Sequence, residues 1–479
     1  MNQFHNATSD GNLSYEIDSN TISLKENNTS KGGSIMKHIL QQLLHSKDIT
    51  LQKDLLYQNS FDIAKELKTC SHKDQVTLIE LFPIENGAQI ISHLTPEEQY
   101  RILTHLSDDK AKLLFDKQSI DDIVDVLLAL HPNQAERLMD YLPKETQQNI
   151  KKLMEYSPET AGGHVTTDYI AAREHWSVKD TLSHIRKIGD RLESLSYIYV
   201  LDSLGHLNGV VSIRQLLLRK EDTVLSDIMN QSVISVNADS DQQEAAQKLT
   251  DYNFAALPVT TSDNRMIGII TFDDAIDVIQ DEATKDIHQL GGSSPLNTPY
   301  FETSVWTVFR KRIGWLLLLF VAEAYTSTIL SHYEDVLSQV VALAFFIPLL
   351  VGTGGNIGTQ VTATLIRAIS LGEVKIKHIL RVMGKEALTG LLLGCALGIA
   401  MLIRSSIMGP SVGIEVAQVV SITVLCITVW SSLVASVLPI LLTKLKLDPA
   451  VVSGPFITTF VDGTGLIIYF TVATILLNL

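Results

Sequence analysis

The sequence predicts a multi-domain chain: an all-α superhelical cytoplasmic N-terminal domain, an α/β tandem pair, and an α-helical membrane domain of five spans. Three observations predict it. The net charge of −15 is unevenly spread, with 27 Lys/Arg against 44 Asp/Glu before residue 301 and 11 against 9 after it. Beyond residue 301 lie several uncharged runs near or above the ~18 residues that read as a bilayer crossing. Before it, two internal repeats divide the acidic portion. At 479 residues the chain is too long for one core, so separate domains are expected. An acidic soluble portion argues against nucleic acid or anionic lipid as its partner and suits cations, although dispersed acidity also serves solubility.

Residues 1–35 are rich in Asn, Ser and Thr and lack a basic start followed by an apolar stretch, so they read as a disordered tail and not a signal peptide. Residues 36–157 follow as the helical domain. Phe82, Leu94, Leu106, Leu130 and Leu142 recur at steps of twelve with one position skipped. Thr95-Pro96-Glu97-Glu98 is a capping box with Pro at the first helical position. Short stacked helices are the natural result. The acidic runs Asp108-Asp109 and Asp121-Asp122-Ile-Val-Asp125 are solvated faces unless an acidic surface opposes them. Cys70, Cys395 and Cys426 form no disulfide or thiolate-metal framework.

The second repeat fills 158–223 and 224–272. Tyr199 to Leu217 superimposes on Pro258 to Ile276 at an offset of 59, and each copy reads strand, turn, strand, helix. These copies resemble a pair of CBS domains, a module that often binds adenine nucleotides. The resemblance places the nucleotide signature on Gly268-Ile-Ile-Thr271-Phe-Asp-Asp274, with Phe254 nearby, and implies ATP as a ligand there; in the first copy Gln215 stands where Asp274 stands in the second. The plain alternative is that Asp274 only caps the next helix. Residues 273–299 form a connecting helix stopped by Gly291-Gly292 and a linker holding Pro295 and Pro299. Asp274, Asp277 and Asp281 share one helix face with Glu282 adjacent, and like charges of this kind facing a second acidic surface repel unless divalent cations bridge them.

Residues 300–479 hold five candidate spans, at 313–330, 336–366, 387–403, 416–443 and 449–479. Basic residues fix their orientation, because cytoplasmic loops are enriched in Lys and Arg. Arg310, Lys311, Arg312, Arg367, Lys375, Lys377, Arg381, Lys385, Lys444 and Lys446 fall on one side and Arg404 on the other. The soluble part is thus cytoplasmic and the C-terminus faces outward. In the second span, Pro348 and the glycines of Gly352-Thr-Gly-Gly-Asn-Ile-Gly-Thr-Gln360 should disturb the helix, either for close packing or to line a pore with carbonyls beside Asn356. In the fifth, Asp462 lies inside an apolar stretch with Thr458 and Gly465 on its face, and an acid there is a functional candidate by default. Asp448 beside Lys444 and Lys446 can simply start a helix, and Glu323 is a packed protonated acid or a relay.

In this order the parts resemble the MgtE family of magnesium channels. The specific matches are Gly352 to Gln360, and Asp448-Pro-Ala, Ser453-Gly-Pro-Phe and Asp462-Gly-Thr-Gly465. The resemblance implies a homodimer in the cell membrane with a pore on its two-fold axis. It implies that Asp462, with Gly355, Gly358, Asn356 and Thr458 around it, holds hydrated Mg²⁺ as cargo. It further implies closure by cytoplasmic Mg²⁺ at Asp121, Asp125, Asp274, Asp277, Asp281, Glu282 and Asp286. Gln243 and Lys285 stand where that pattern has acids. Two other readings stay open: a proton-coupled secondary transporter using Asp462 or Glu323, and a non-conducting nucleotide or cation sensor. No nucleophile, base and orienting group assemble, so no enzyme is expected.

Overall fold

The computed structural model describes residues 38–44, 55, 58–189, 192–296, 300–301, 303–408, 413–445, 448 and 454–479. The expected tail, Pro299, Lys446 and residues 449–453 lie outside the described residues. The chain divides into two compact units, Met1–Ile276 and Asp277–Leu479.

From Ser60 the described residues of the first unit form a run of short helices: α1 Ser60–Leu67, α2 His72–Leu81, α3 Ile84–Ser92, α4 Pro96–Leu103, α5 Asp108–Asp116, α6 Ile120–Ala129, α7 Pro132–Met139 and α8 Lys144–Leu153. Caps cut the run at close intervals. Asn59 and Ser71 side chains accept backbone N–H groups, and Thr95 and Glu98 form the reciprocal box read from the sequence. Most of these helices pack on the next but one, so α1, α3 and α5 make one strip and α2, α4, α6 and α8 another, while α7 packs on α6. That alternation is a superhelix. Its register residues Phe82, Leu94, Leu106, Leu130 and Leu142 are all buried, which is why they recur: each seals the turn between successive helices.

The tandem pair follows. β1 (Ile170–Ala172) runs parallel to β2 (Tyr197–Leu201), which pairs antiparallel with β3 (Leu207–Ser212), and between β1 and β2 lies α9 (Val178–Ile188). After the short α10 (Ile213–Leu217), the second copy repeats this with β4 (Val236–Asn237), α11 (Gln242–Tyr252), β5 (Ala256–Thr260) and β6 (Met266–Thr271). The offset of 59 extends to backbone irregularities. The register shifts between Val200 and Leu201 in one sheet and between Val259 and Thr260 in the other. Gly268 is required by packing, since a Cβ there would lie 2.3 Å from the carbonyl oxygen of Thr166.

Helix α12 (Phe272–Leu290) crosses the boundary between the units and stops as expected, with Gly292 at φ +69° and Gly291 N–H donating to the carbonyl of Ile287. The second unit then contains α13 (Val305–His332), a short α14 (Glu334–Gln339), α15 (Ile347–Ser370), α16 (Ile379–Met408), α17 (Ile414–Lys444) and α18 (Gly454–Leu477). Among the described residues of this unit, five segments are long and apolar enough to cross a membrane.

The second span differs from expectation. Pro348 does not disturb the helix but starts it, being in the first turn of α15, where its missing N–H has no partner to lose. The helix then runs unbroken through every glycine of Gly352–Gly358. Gly354, Gly355 and Gly358 serve packing, while Gly352 has open space beside it. A Cβ on Gly354 would meet Ile427 and Val461 at 2.8 Å, one on Gly355 would meet Thr458 at 2.7 Å, and one on Gly358 would meet Ile457 at 2.5 Å. A second small-residue stripe, Gly390, Gly394 and Gly398 at steps of four on α16, lets α17 approach to within contact of its own backbone. Thr428 Oγ1 donates to the Gly390 carbonyl at 3.0 Å across that seam.

Candidate functional site

Because α18 rests on the glycine face of α15, Asp462 is carried into the interior of the membrane unit. It is 7% exposed, and its Oδ1 is buried without a hydrogen-bond partner. Such an oxygen lacks the bonds that make a buried carboxylate tolerable, which marks it as awaiting a donor or a cation. Its neighbours do not supply one. Thr458 Oγ1 donates instead to the Gly454 carbonyl at 2.9 Å, and Thr359 Oγ1 to the Gly355 carbonyl at 2.9 Å. Ser431 Oγ donates to the Gly354 carbonyl at 2.6 Å. Glu323 of α13 is near enough for its charge to act on Asp462.

The other side of α15 carries a second feature. Gly352, Asn356, Thr359, Gln360 and Thr364 are exposed, at helical spacing, in the single chain. A polar stripe along a membrane helix needs water or a protein partner beside it. Gly355 and Gly358, by contrast, are buried under α18, so the residues assigned around Asp462 fall on two faces of α15.

In the first unit, Asp121 and Asp122 at the start of α6, Asp274 at the start of α12 and Glu193 in the loop after α9 come together. Asp121 Oδ1 is buried and unpartnered. Desolvation first, and then the charge of Asp274, raise the Asp121 carboxyl well above the usual range. Desolvation likewise raises Asp274 and also Asp122, although the Asp122 side chain reaches solvent. Desolvation together with Asp274 and Asp122 pushes Glu193 up to about 7, although its side chain reaches solvent. Asp125 is exposed on α6. Asp274 Oδ2 is committed to the Thr271 hydroxyl at 2.5 Å and the Thr271 N–H at 3.2 Å, which is the helix-capping role.

In the second unit, Asp277 and Asp281 are exposed on α12, and Glu282 meets Lys285 at 3.7 Å. Asp286 accepts from Ser370 Oγ at 3.1 Å. Partial burial raises its carboxyl, with Asp448 and Glu282 adding repulsion. Asp448, read from the sequence as a helix start, is thus a charge neighbour of Asp286. Among the described residues no three His, Cys, Asp or Glu converge closely enough to ligate an ion directly.

The tandem pair encloses a cavity of about 200 Å³ lined by Tyr197, Tyr199, Phe254, Ser212, Gln215 and Asn230. Phe254 is there as expected, but Thr271 and Asp274 are not; the first copy's Ser212 and Gln215 take the equivalent place. The Tyr199 hydroxyl is buried with no partner.

Comparison with known proteins matches residues 58–159 to the MgtE intracellular N domain, 225–281 to the CBS domain, and 347–472 to MgtE, described as a divalent cation transporter. The magnesium transporter MgtE of Thermus thermophilus is 36% identical over 446 residues, covering 92% of this chain and 98% of its own length. The chain belongs to the MgtE family. The MgtE of Bacillus subtilis is 33% identical, covering 86% of this chain and 91% of its own length. The solved soluble part of a magnesium transporter is 30% identical, with a TM-score of 0.50, over 52% of this chain and 99% of its own length. As an MgtE protein the chain is a multi-pass membrane transporter with cytoplasmic N-terminal domains, and it is not an enzyme. Of the two MgtE motifs, Gly352–Gln360 is described in full and the one from Asp448 to Gly465 in part.

Sequence reasoning missed Glu193, a lone acid in a loop with no pattern to flag it. It also passed over Asp122, although the doublet with Asp121 was visible, and the pairing of Asp448 with Asp286, which depends on a long-range fold.

Proposed function

We propose that the chain is one subunit of a homodimeric Mg²⁺ channel in the cell membrane, with its C-terminus outward, closed by cytoplasmic Mg²⁺. The unpartnered Asp462 oxygen carries the conduction reading. Mg²⁺ sheds water reluctantly, so one carboxylate per subunit suffices to hold the ion through its shell, and no close ligand cage is needed. The polar stripe of α15 supports the dimer: two such stripes facing each other make a wet path where one alone would face lipid. Regulation is supported by Asp121 and Asp274, two acids whose burial beside one another is unfavourable until a divalent cation or a proton intervenes. Asp125, Asp277, Asp281, Glu282 and Asp286 extend that set, and Asp448 joins it beside Asp286. The cavity between the CBS copies suits an adenine nucleotide such as ATP, with Phe254 and Tyr197 as ring partners and the Tyr199 hydroxyl as an open polar contact.

The test is Mg²⁺ flux into proteoliposomes. Asp462→Ala is expected to reduce it to the level of empty vesicles, while Asp121→Asn leaves conduction and weakens inhibition by Mg²⁺ on the cytoplasmic side. Undiminished flux in Asp462→Ala sinks the pore assignment. The proximity of Glu323 to Asp462 favours a second reading, proton-coupled transport, which predicts flux driven by a pH gradient and lost in Glu323→Gln.

A further inference from the structure

Asp462 is approached by a second oxygen-bearing side chain, from the first span. Tyr325 of α13 lays its ring on Gly463, the residue next to Asp462. A Cβ built on Gly463 would lie 2.1 Å from Tyr325 Cε1 and Cζ and 2.2 Å from its hydroxyl oxygen. The phenol tip therefore occupies the space that any larger residue at 463 would take. The charge of Asp462 acts on that phenol, so the two side chains share one neighbourhood.

Packing alone gives no reason for the arrangement. A glycine inside a helix is destabilising relative to alanine, and the rotation of α18 is already fixed from other sides. Val461 covers Gly354 and Thr458 covers Gly355 on α15, and Trp430 Nε1 of α17 donates to Thr464 Oγ1 at 2.9 Å. A phenol inside a span brings a hydroxyl that needs a polar partner, where phenylalanine would fill the same space without that need. Nor does the hydroxyl satisfy the acid, because Asp462 Oδ1 has no hydrogen-bond partner. Tyr325 is 39% exposed in the single chain, so its ring is not sealed into the helix contact. A phenol oxygen and a carboxylate thus stand together, with Oδ1 of the acid left open.

We infer that Tyr325 is a specificity-determining residue for the conducted ion: its hydroxyl accepts a hydrogen bond from a water of the Mg²⁺ shell while Asp462 accepts from others. This deepens the conduction reading and rests on it. Mg²⁺ keeps its waters, and they are polarised donors, so the protein has to offer acceptors spaced around the shell and not a close cage. A phenol oxygen is a neutral acceptor. It adds hold without a further charge that would keep the ion from leaving.

Flux through the full-length chain in proteoliposomes, measured over a range of Mg²⁺ concentrations, tests it. Tyr325→Phe keeps the ring on Gly463 and removes only the hydroxyl. It is expected to raise the half-saturating Mg²⁺ concentration about fivefold, the worth of one neutral hydrogen bond, with maximal flux altered less and thermal stability in detergent unchanged. Gly463→Ala, which displaces the ring, should raise that concentration likewise and lower stability. Tyr325→Ala combined with Gly463→Ala should regain the stability but not the affinity. An unchanged half-saturating concentration in Tyr325→Phe overturns the assignment. So does its return to the wild-type value in the double variant, which would make the contact one of packing alone. Asp462→Ala in the same assay separates the failures. Flux lost there while Tyr325→Phe behaves as wild type ends this assignment only, whereas flux undiminished in Asp462→Ala ends the conduction reading and this one with it.

Discussion

Ser370 Oγ donates to Asp286 Oδ2 at 3.1 Å, and this bond joins the connecting helix α12 to the C-terminal end of α15. The same α15 carries the polar stripe that we place along the pore, so a movement of α12 has a direct mechanical route to it. Ser370→Ala should leave conduction intact and loosen closure. A lost hydrogen bond to a carboxylate is worth about 1.5 kcal/mol, or roughly tenfold in the Mg²⁺ concentration that inhibits. Flux measured against cytoplasmic Mg²⁺ reads the shift, and an unchanged inhibition curve would detach α12 from gating.

Protons should imitate Mg²⁺ at the junction of the helical domain and the CBS pair. Desolvation raises the carboxyls of Asp121, Asp122, Asp274 and Glu193, with the charge of Asp274 adding at the other three and that of Asp273 adding at Asp274, and Glu193 goes up to about 7. A carboxyl raised in the assembled state takes up protons there, so the assembly loses stability as pH rises from the free carboxylate range through about 7. Without Mg²⁺ the domains are expected to draw together as pH falls from about 8 to about 6, and saturating Mg²⁺ should flatten that response. Energy transfer between fluorophores on the helical domain and the first CBS copy measures it. Glu193→Gln should remove the part of the transition nearest neutrality.

The seam between α16 and α17 has no room to spare. A Cβ on Gly394 would lie 2.4 Å from Thr428 Oγ1 and 2.8 Å from the Leu425 Cα, whereas one on Gly384 would meet nothing within 4 Å. Gly394→Leu should therefore destabilise the membrane unit by about 1–3 kcal/mol or more. Gly384→Leu on the same helix serves as the silent control. Thermal aggregation in detergent ranks the two, and equal behaviour would contradict the close approach.

What could be read in advance was whatever leaves a local or periodic trace. The turn-sealing Phe82, Leu94, Leu106, Leu130 and Leu142 and the 59-residue offset are of that kind, since each repeated unit buries the same positions. So is Asp462, because a single acid in an apolar run is visible without knowing its surroundings. Pro348 was misleading because its effect depends on helix position, and the start of α15 at Ile347 is set by the preceding 3₁₀ turn from Val341 to Phe346. Glu193 left no trace, and the pairing of Asp448 with Asp286 left none either, because both depend on residues distant in sequence. The tandem pair's cavity is lined by Ser212 and Gln215 and not by Thr271 and Asp274, although each pair caps the helix that follows it.

The hydrophilic stripe of α15 also bears on how the protein is made. In the homodimer we propose, a newly inserted chain would present Asn356, Thr359, Gln360 and Thr364 to acyl chains until its second copy arrives. Solitary subunits are then the state that membrane quality control should recognise, and pairing becomes part of maturation, completed soon after synthesis and not left to later encounter.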